Sequence, residues 1–460
     1  MTFREKKKNK SGVLFISLFI ICVAAFAYVY LSPAFEQNKP NIQCEDKIYW
    51  NLKSNLNIQI DDESGIKYYK VTFVDGQKDI VLDQSVLSNI QKNLTLEIKP
   101  PKLDMFYKGI DVKVQIEVVD NSKWNFMEGN KAIKTIDIKV DTKKPVANVL
   151  ANSRYIQRGG SAAVVVEVKD DNLKEMYISF NDEKRFKLTP YYKENFYVAL
   201  IAWPIDFEEF NRVNLVAIDK ASNKTTTKVP LYIQKKKIKI DNIQLSDQFI
   251  KNISASVLEQ SGEPIPQKVE DIFIYSNKEL RAKNIKTLET VALKAMENKQ
   301  IDEFNINSFK RLRGSKTVAG FAERRHYYLG ENKINEAWHL GIDWASVRKA
   351  TIKTSNDGEV VFKGYIGLYG NTIIVDHTMG LASLYAHTSS QNVEVGQKIS
   401  KGKKIANTGS TGAVFGDHLH FGILIQGVEV NPIEWMDRNW IKTRITNILK
   451  NAKKQIDGRS

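Results

Sequence analysis

Cysteine is almost absent from this chain of 460 residues, which has two, Cys22 and Cys44. Cys22 lies inside an apolar run and Cys44 beyond it, so no structural intrachain disulfide is expected. Histidine is missing from the first 325 residues, and all six lie between His326 and His420. Sixteen of the 25 glycines fall between Gly314 and Gly427. Imidazole chemistry and tight turns are therefore concentrated in the last third, and the first 300 residues serve another purpose. No H-E-x-x-H occurs, so the zinc site that uses the glutamate of that motif as base is excluded. No interleaving of aromatic and basic residues marks a nucleic-acid surface, and no nucleic-acid partner is expected. The formal net charge of +15 reads as a lysine-rich solvated surface, or as attraction to an anionic polymer or membrane. The cluster Lys235-Lys236-Lys237 is part of it.

The length suggests about three domains, and a hydrophobic share of 42% argues against broad disorder. Val13 to Leu31 carries no charge. As a helix it would be roughly 28 Å long, about the thickness of a bilayer core. Arg4, Lys6, Lys7, Lys8 and Lys10 precede it, and the positive-inside rule keeps them cytoplasmic. Residues 1–11 are thus expected to be a cytoplasmic tail and 12–32 a single-pass anchor in the inner (cytoplasmic) membrane. Everything after about residue 32 would be periplasmic. A cleaved signal peptide is the alternative, but Tyr28-Val29-Tyr30-Leu31 does not look like a small-x-small cleavage site.

From about residue 40 short stretches alternate apolar and polar residues, as half-buried strands do. Asn57-Ile58-Gln59-Ile60, Val112 to Val118 and Thr135 to Val140 form one set. Val164 to Val168, Tyr177 to Phe180 and Val213 to Ile218 form a second. The sets resemble each other: Val118-Val119-Asp120 followed by Asn125 parallels Ala217-Ile218-Asp219 followed by Asn223. The second copy resembles the D-x-A-x-N turn of bacterial immunoglobulin-like repeats. Two β-sandwich modules are expected, 40–142 and 146–234. Residues 238–304 are expected to form a helical or mixed linker segment, structural in the first reading and, in the second, a regulatory cover for the domain that follows. Ser276-Asn277-Lys278-Glu279 has the form of a capping box at the start of its helix. Residues 305–437 read as a compact antiparallel β domain and 438–460 as a helical tail. The fold class is therefore mainly β and multidomain.

His418 and His420 are two apart, so in a strand they share one face. His339 is followed by Asp343, and His387 ends the apolar run Leu384-Tyr385-Ala386. Two histidines and a carboxylate leave a fourth zinc position open for water, as hydrolytic sites do. Zinc lowers the pKa of that water and polarises a carbonyl. A neutral histidine can take the proton, and a second can donate to the developing oxyanion.

In combination these stretches resemble the M23 family of zinc metallopeptidases, the lysostaphin or LytM type, over residues 309–437. The resemblance is carried by Gly320-Phe321-Ala322-Glu323-Arg324-Arg325, His339-Leu340-Gly341-Ile342-Asp343, Tyr369-Gly370-Asn371, Tyr385-Ala386-His387, Gly409-Ser410-Thr411-Gly412, His418-Leu419-His420-Phe421 and Val430-Asn431-Pro432. It implies that His339, Asp343 and His420 ligate Zn2+ and that His387 and His418 are catalytic. It also implies a peptidoglycan substrate, with hydrolysis of cross-link or stem peptides by an endopeptidase. Carboxypeptidase action is left open. A non-catalytic wall-binding scaffold or activator of another hydrolase is the rival, disfavoured by five filled positions. Thr388, Gly422 and the pair Phe321-Ala322 depart from the family pattern without removing any of the five. Arg324 and Arg325 are candidates for a substrate carboxylate or for structural ion pairs. His326 and His377 are expected to be structural or surface residues.

Overall fold

The computed structural model describes residues 10–76, 79–103, 111–235, 237–296 and 299–458. Most of the expected cytoplasmic tail, residues 1–9, and Lys236 lie outside the described residues. The apolar run forms a helix, Lys10–Leu31. Gly12–Leu31, with mean hydropathy 2.6, is long and apolar enough to cross a membrane. A helix apolar on every face needs apolar surroundings. The chain divides into two compact units, Met1–Lys144 with Ile218–Asn223, and Pro145–Ala217 with Lys224–Ser460.

In the first unit the strands Leu56–Val74 and Asp79–Ile98 pair antiparallel along their lengths, from Leu56↔Ile98 to Val74↔Asp79. The early part of Leu56–Val74 also pairs with Asn41–Gln43, and its later part with Asp111–Asp120. The register breaks between Asp61 and Ile66. There Asp62 Oδ1 accepts the N–H groups of Ser64 and Gly65, both at 2.9 Å, and Gly65 takes φ +86°, which costs glycine nothing. Lys131–Val140 and then Lys47–Trp50 complete a six-stranded sheet. Ile58, Ile60, Val112, Val114, Ile116 and Val118 bury their side chains in its core.

The two aspartate turns close in the same way, with one correction to the repeat. Asp219 accepts from Asn223 N (2.8 Å) and Nδ2 (2.7 Å). Asp120 accepts from Asn130 N (2.7 Å) and Nδ2 (2.8 Å). Asn130, not Asn125, is the partner of Asp120. The loop between them is longer, so linear spacing misplaced the match, and Asn125 instead opens a left-handed turn (φ 51°).

The second unit begins with two four-stranded sheets. Val146–Asn152, Ser161–Lys169, Phe196–Ala202 and Thr189–Pro190 make one; Lys224–Lys228, Val213–Asp219, Leu173–Phe180 and Lys184–Lys187 make the other. Val164, Val166, Ile178, Phe180 and Leu215 share one core. That core continues into the last third of the chain through Ile423, Ile425, Val430 and Trp435. The final helix, Asn447–Asp457, adds Leu449, Ala452 and Ile456 at helical spacing. Buried polar contacts join the parts: Glu434 accepts from Ser161 N (2.9 Å) and Gln157 Nε2 (2.7 Å).

Between these parts, Lys239–Leu245 pairs parallel with Glu323–Leu329. A helical run follows as Val269–Tyr275, a wider π-turn Ser276–Leu280, and Arg281–Ala295. Ser276 is therefore not a cap. It is buried mid-helix, and its hydroxyl donates to Phe273 O at 3.0 Å. The apolar residues upstream, Ile272 and Phe273, continue the helical face and override the capping pattern.

The last third is organised by one sheet. Its order is Lys316–Ala319, Ile342–Ala345, Leu419–Ile425, Leu381–Ala386, Gly370–Asp376, Gly358–Ile366 and Lys398–Ile399, with Val428–Val430 beside Leu419–Ile425. Leu419–Ile425 is buried throughout. Leu419, Phe421, Ile423 and Ile425 enter the shared core. Leu424, with Leu384, Ala386 and Ile374, packs on the other face against Leu288 of the helical run.

Candidate functional site

Sheet register brings the site together. Asp343 and His420 are direct cross-strand partners, and Ala386, just before His387, is the partner of His420 on its other side. Cross-strand partners project to one face. Hence Asp343, His420 and the end of the strand bearing His387 converge. His418 enters from just before the strand, its N–H donated to Gly409 O at 3.0 Å. His339 ends the strand Asn332–His339. Its Nδ1–H donates to Gly320 O at 2.7 Å, which leaves the Nε2 lone pair turned inward.

Three of the expected site residues form one cluster. His339 Nε2 lies 3.0 Å from Asp343 Oδ2 and 3.2 Å from His420 Nδ1, and His420 Nδ1 lies 2.8 Å from Asp343 Oδ1. All three residues are buried. Burial opposes the charge of Asp343, but the His339 and His420 imidazoles outweigh it and hold the carboxyl well below its usual range. Burial pushes His420 down to about 4, against the pull of Asp343. Two imidazoles and a carboxylate directed at one point form a donor set suited to a divalent cation. Gly341 fits the same purpose: a Cβ there would meet His420 Nε2 at 2.5 Å.

The other two expected residues stand beside this cluster. The rings of His387 and His418 are 4.9 Å apart, and His387 is 5.7 Å from His420. His418 Nε2 is 3.7 Å from Asp343 Oδ1. His387 has φ 61°, an uncommon conformation for a non-glycine residue and one that recurs at functional sites. Its Nδ1–H donates to Thr411 O and that of His418 to Gly416 O, each at 2.8 Å. Burial, then the neighbouring His418, keeps the pKa of His387 well below the usual value.

The remaining candidates separate. Arg324 pairs with Glu336 at 2.6 Å and lies over Trp338, so it is structural. Arg325 stays in the cleft, 3.4 Å from Asp343 Oδ2. His326 faces Glu336 at 3.5 Å. His377 is buried between Asp357 O (2.7 Å) and Ser383 Oγ (2.8 Å), and burial pushes it down to about 4.

Sequence reading missed one feature and anticipated a second without naming its residues. Tyr369 lies edge-on to His420, with ring centroids 5.7 Å apart. Its hydroxyl donates to buried Glu429, at 2.8 and 2.9 Å from the two carboxylate oxygens. Burial raises Glu429 to about 7, against the Tyr369 hydrogen bond and the Arg281 charge. The second feature is the cleft itself, a cavity of about 490 Å³. The histidine site forms one side, and Phe249, Phe273, Asn277 and Arg281 form the other. Phe249 stacks on Phe415 at 4.2 Å. Phe249, Phe273, Asn277 and Arg281 fall within 238–304, the segment weighed as a cover for the domain, though no local motif named the side chains that face the cleft.

Residues 337–432 match the family model described as Peptidase family M23, so this part of the chain is an M23 peptidase domain. Among curated proteins, it is 40% identical over 95 residues to the DD-carboxypeptidase/endopeptidase Mpg of Neisseria meningitidis serogroup B, covering 21% of this chain and 22% of that protein. The Peptidoglycan DD-endopeptidase ShyA of Vibrio cholerae is 35% identical over 96 residues, 21% and 22% of the two chains. The Murein hydrolase activator NlpD of Escherichia coli is 38% identical over 103 residues, 22% and 27%. The chain thus spans about a quarter or less of the length of each of these relatives.

Proposed function

We propose that this protein is a membrane-anchored zinc metallopeptidase that hydrolyses peptide bonds in bacterial peptidoglycan. The carrying observation is the convergence of His339 Nε2, Asp343 and His420 Nδ1 within 3.2 Å of one another, with His387 and His418 beside them. In this reading those three residues hold Zn2+. The ion supplies a water of lowered pKa and polarises the scissile carbonyl. His387 and His418 handle the proton. Each commits its Nδ1–H to a backbone carbonyl, so each neutral ring keeps a lone pair on Nε2. A carbonyl partner fixes tautomer and ring orientation together.

The substrate class rests on likeness to ShyA, a peptidoglycan DD-endopeptidase. The helix Lys10–Leu31 supports placement at the inner membrane, with the rest of the chain on the periplasmic side. The two β modules then act as spacers, and residues 238–304 form a cleft wall that also governs entry.

Likeness to the activator NlpD favours a second reading, in which the domain binds the wall and stimulates another hydrolase. The full chain, purified in detergent, separates the two. The peptidase reading expects zinc-dependent release of peptides from peptidoglycan sacculi, seen by mass spectrometry, and its loss in His420→Ala. Bound zinc without peptide release, but with stimulation of a wall amidase, supports the activator. Full activity in metal-free His420→Ala overturns the site assignment.

A further inference from the structure

The helical wall carries chemistry of its own. The run from Val269 to Ala295 is regular except at Ser276–Leu280, where the backbone widens into a π-turn. Such bulges cost helix regularity and are frequent at functional sites. This one holds Asn277, which is 5% exposed and lines the cleft together with His339, His387 and His418.

The orientation of the Asn277 amide is set by its neighbour. Arg281 Nη2 donates to Asn277 Oδ1 at 2.6 Å, and Arg281 Nε donates to Oδ1 and to Asn277 O, each at 3.2 Å. Guanidinium only donates, so the bonded atom is the oxygen and Nδ2 is the free end. That Nδ2 is buried with no hydrogen-bond partner among the described residues. Leaving such a donor unpaired is unfavourable, and a bound acceptor relieves it. Arg325 Nε, on another residue lining this cleft, is also buried without a partner. Two unpaired donors and two guanidinium groups thus serve one cavity. Among its carboxylates, Asp343 is engaged by His339 and His420, and Asp417 by Thr408 Oγ1 and Lys349 N. Asp241 completes the charged lining.

We propose that Asn277 and Arg281 form a carboxylate subsite, which takes a carboxylate of the peptide lying across His387 and His418. The identity of that peptide rests on the function proposed above. Asn277 Nδ2–H supplies the directed hydrogen bond and Arg281 the charge that favours an anion over a neutral carbonyl. Selectivity for the substrate's charged group therefore comes from outside residues 337–432.

The test is binding of N-acetyl-D-alanyl-D-alanine and of its C-terminal amide to the zinc-loaded full chain, by calorimetry. His418→Ala is used as the background to suppress turnover. The acid is expected to bind about tenfold more tightly than the amide, the equivalent of one charge-assisted hydrogen bond. Adding Asn277→Leu should bring the ratio near one without changing zinc content. Asn277→Asp, which can still pair with Arg281, should reverse it. An acid-to-amide ratio unchanged by both substitutions overturns the subsite. Acid preference without cleavage of sacculi by the unsubstituted chain leaves the subsite standing and removes the peptidase reading. Cleavage without preference removes the subsite alone.

Discussion

Replacing Gly341 by alanine tests whether the three-residue cluster is built by the sheet or merely tolerated by it. Gly341 lies between two cluster residues in sequence, and its φ is outside the left-handed region. Backbone strain therefore plays no part. The new methyl would stand 2.5 Å from His420 Nε2, 2.6 Å from Cε1 and 2.7 Å from Phe421 O. That is about 0.9 Å inside the ordinary contact limit of 3.4 Å. Phe421 O cannot easily yield, because Phe421 pairs with Ile342 in the sheet. The ring of His420 must move instead, which disturbs its 2.8 Å contact with Asp343. Overpacking of this kind costs about 1–3 kcal/mol of stability, and a shift near 1 Å at a reacting centre costs about 10²-fold in rate. Gly341→Ala is expected to weaken zinc retention in a chelator competition and to cut peptide release about 100-fold. Its melting temperature should fall only moderately. Wild-type zinc affinity with wild-type turnover would refute the claim that His420 is held in place by close contact at residue 341.

Glu429→Gln should alter the dependence of stability on pH. Burial lifts the folded pKa of Glu429 from the usual 4.5 to about 7, so between these values the native state holds a proton that the unfolded chain releases. Its contribution to stability falls as pH rises through that window, by about 3 kcal/mol in all. Glutamine keeps an acceptor for Tyr369 and removes the titration, so the variant should gain melting temperature over the wild type between pH 5 and pH 8. Parallel profiles would rule this out. Glu434→Ala strips a buried acceptor from Ser161 and Gln157 and should cost about 3 kcal/mol. The measurement is urea unfolding, and a change within 0.5 kcal/mol would show that the link between the two four-stranded sheets and the last third of the chain is dispensable.

The cluster was legible because each residue sits in a short motif. His339 to Asp343 and His418 to His420 are local spacings. Their meeting was implied by the family resemblance and not by any one stretch. It depends on Asp343, Ala386 and His420 falling opposite one another across three strands, and no single stretch encodes register between strands. The strand pattern of the β modules was readable for the same local reason as the motifs. The pairing of Asp120 with Asn130 was not, because hydrogen bonding selects a partner by position in space. Ser276 misled because a capping box is only four residues long, and the apolar face upstream decided where the helix begins. Arg324 and Arg325 are adjacent in sequence yet point to opposite faces, so only the fold could assign one to an ion pair and the other to the cleft.

The cleft is assembled from two stretches far apart in the chain. The segment recognisable by kinship, 337–432, brings the reactive imidazoles. The opposing wall, from Phe249 to Arg281, lies outside that segment. The segment that matches the family model is therefore smaller than the cleft it helps to form. Two proteins with the same reactive core and different walls would select different substrates. Excising the recognisable module would leave a blade without its jaw.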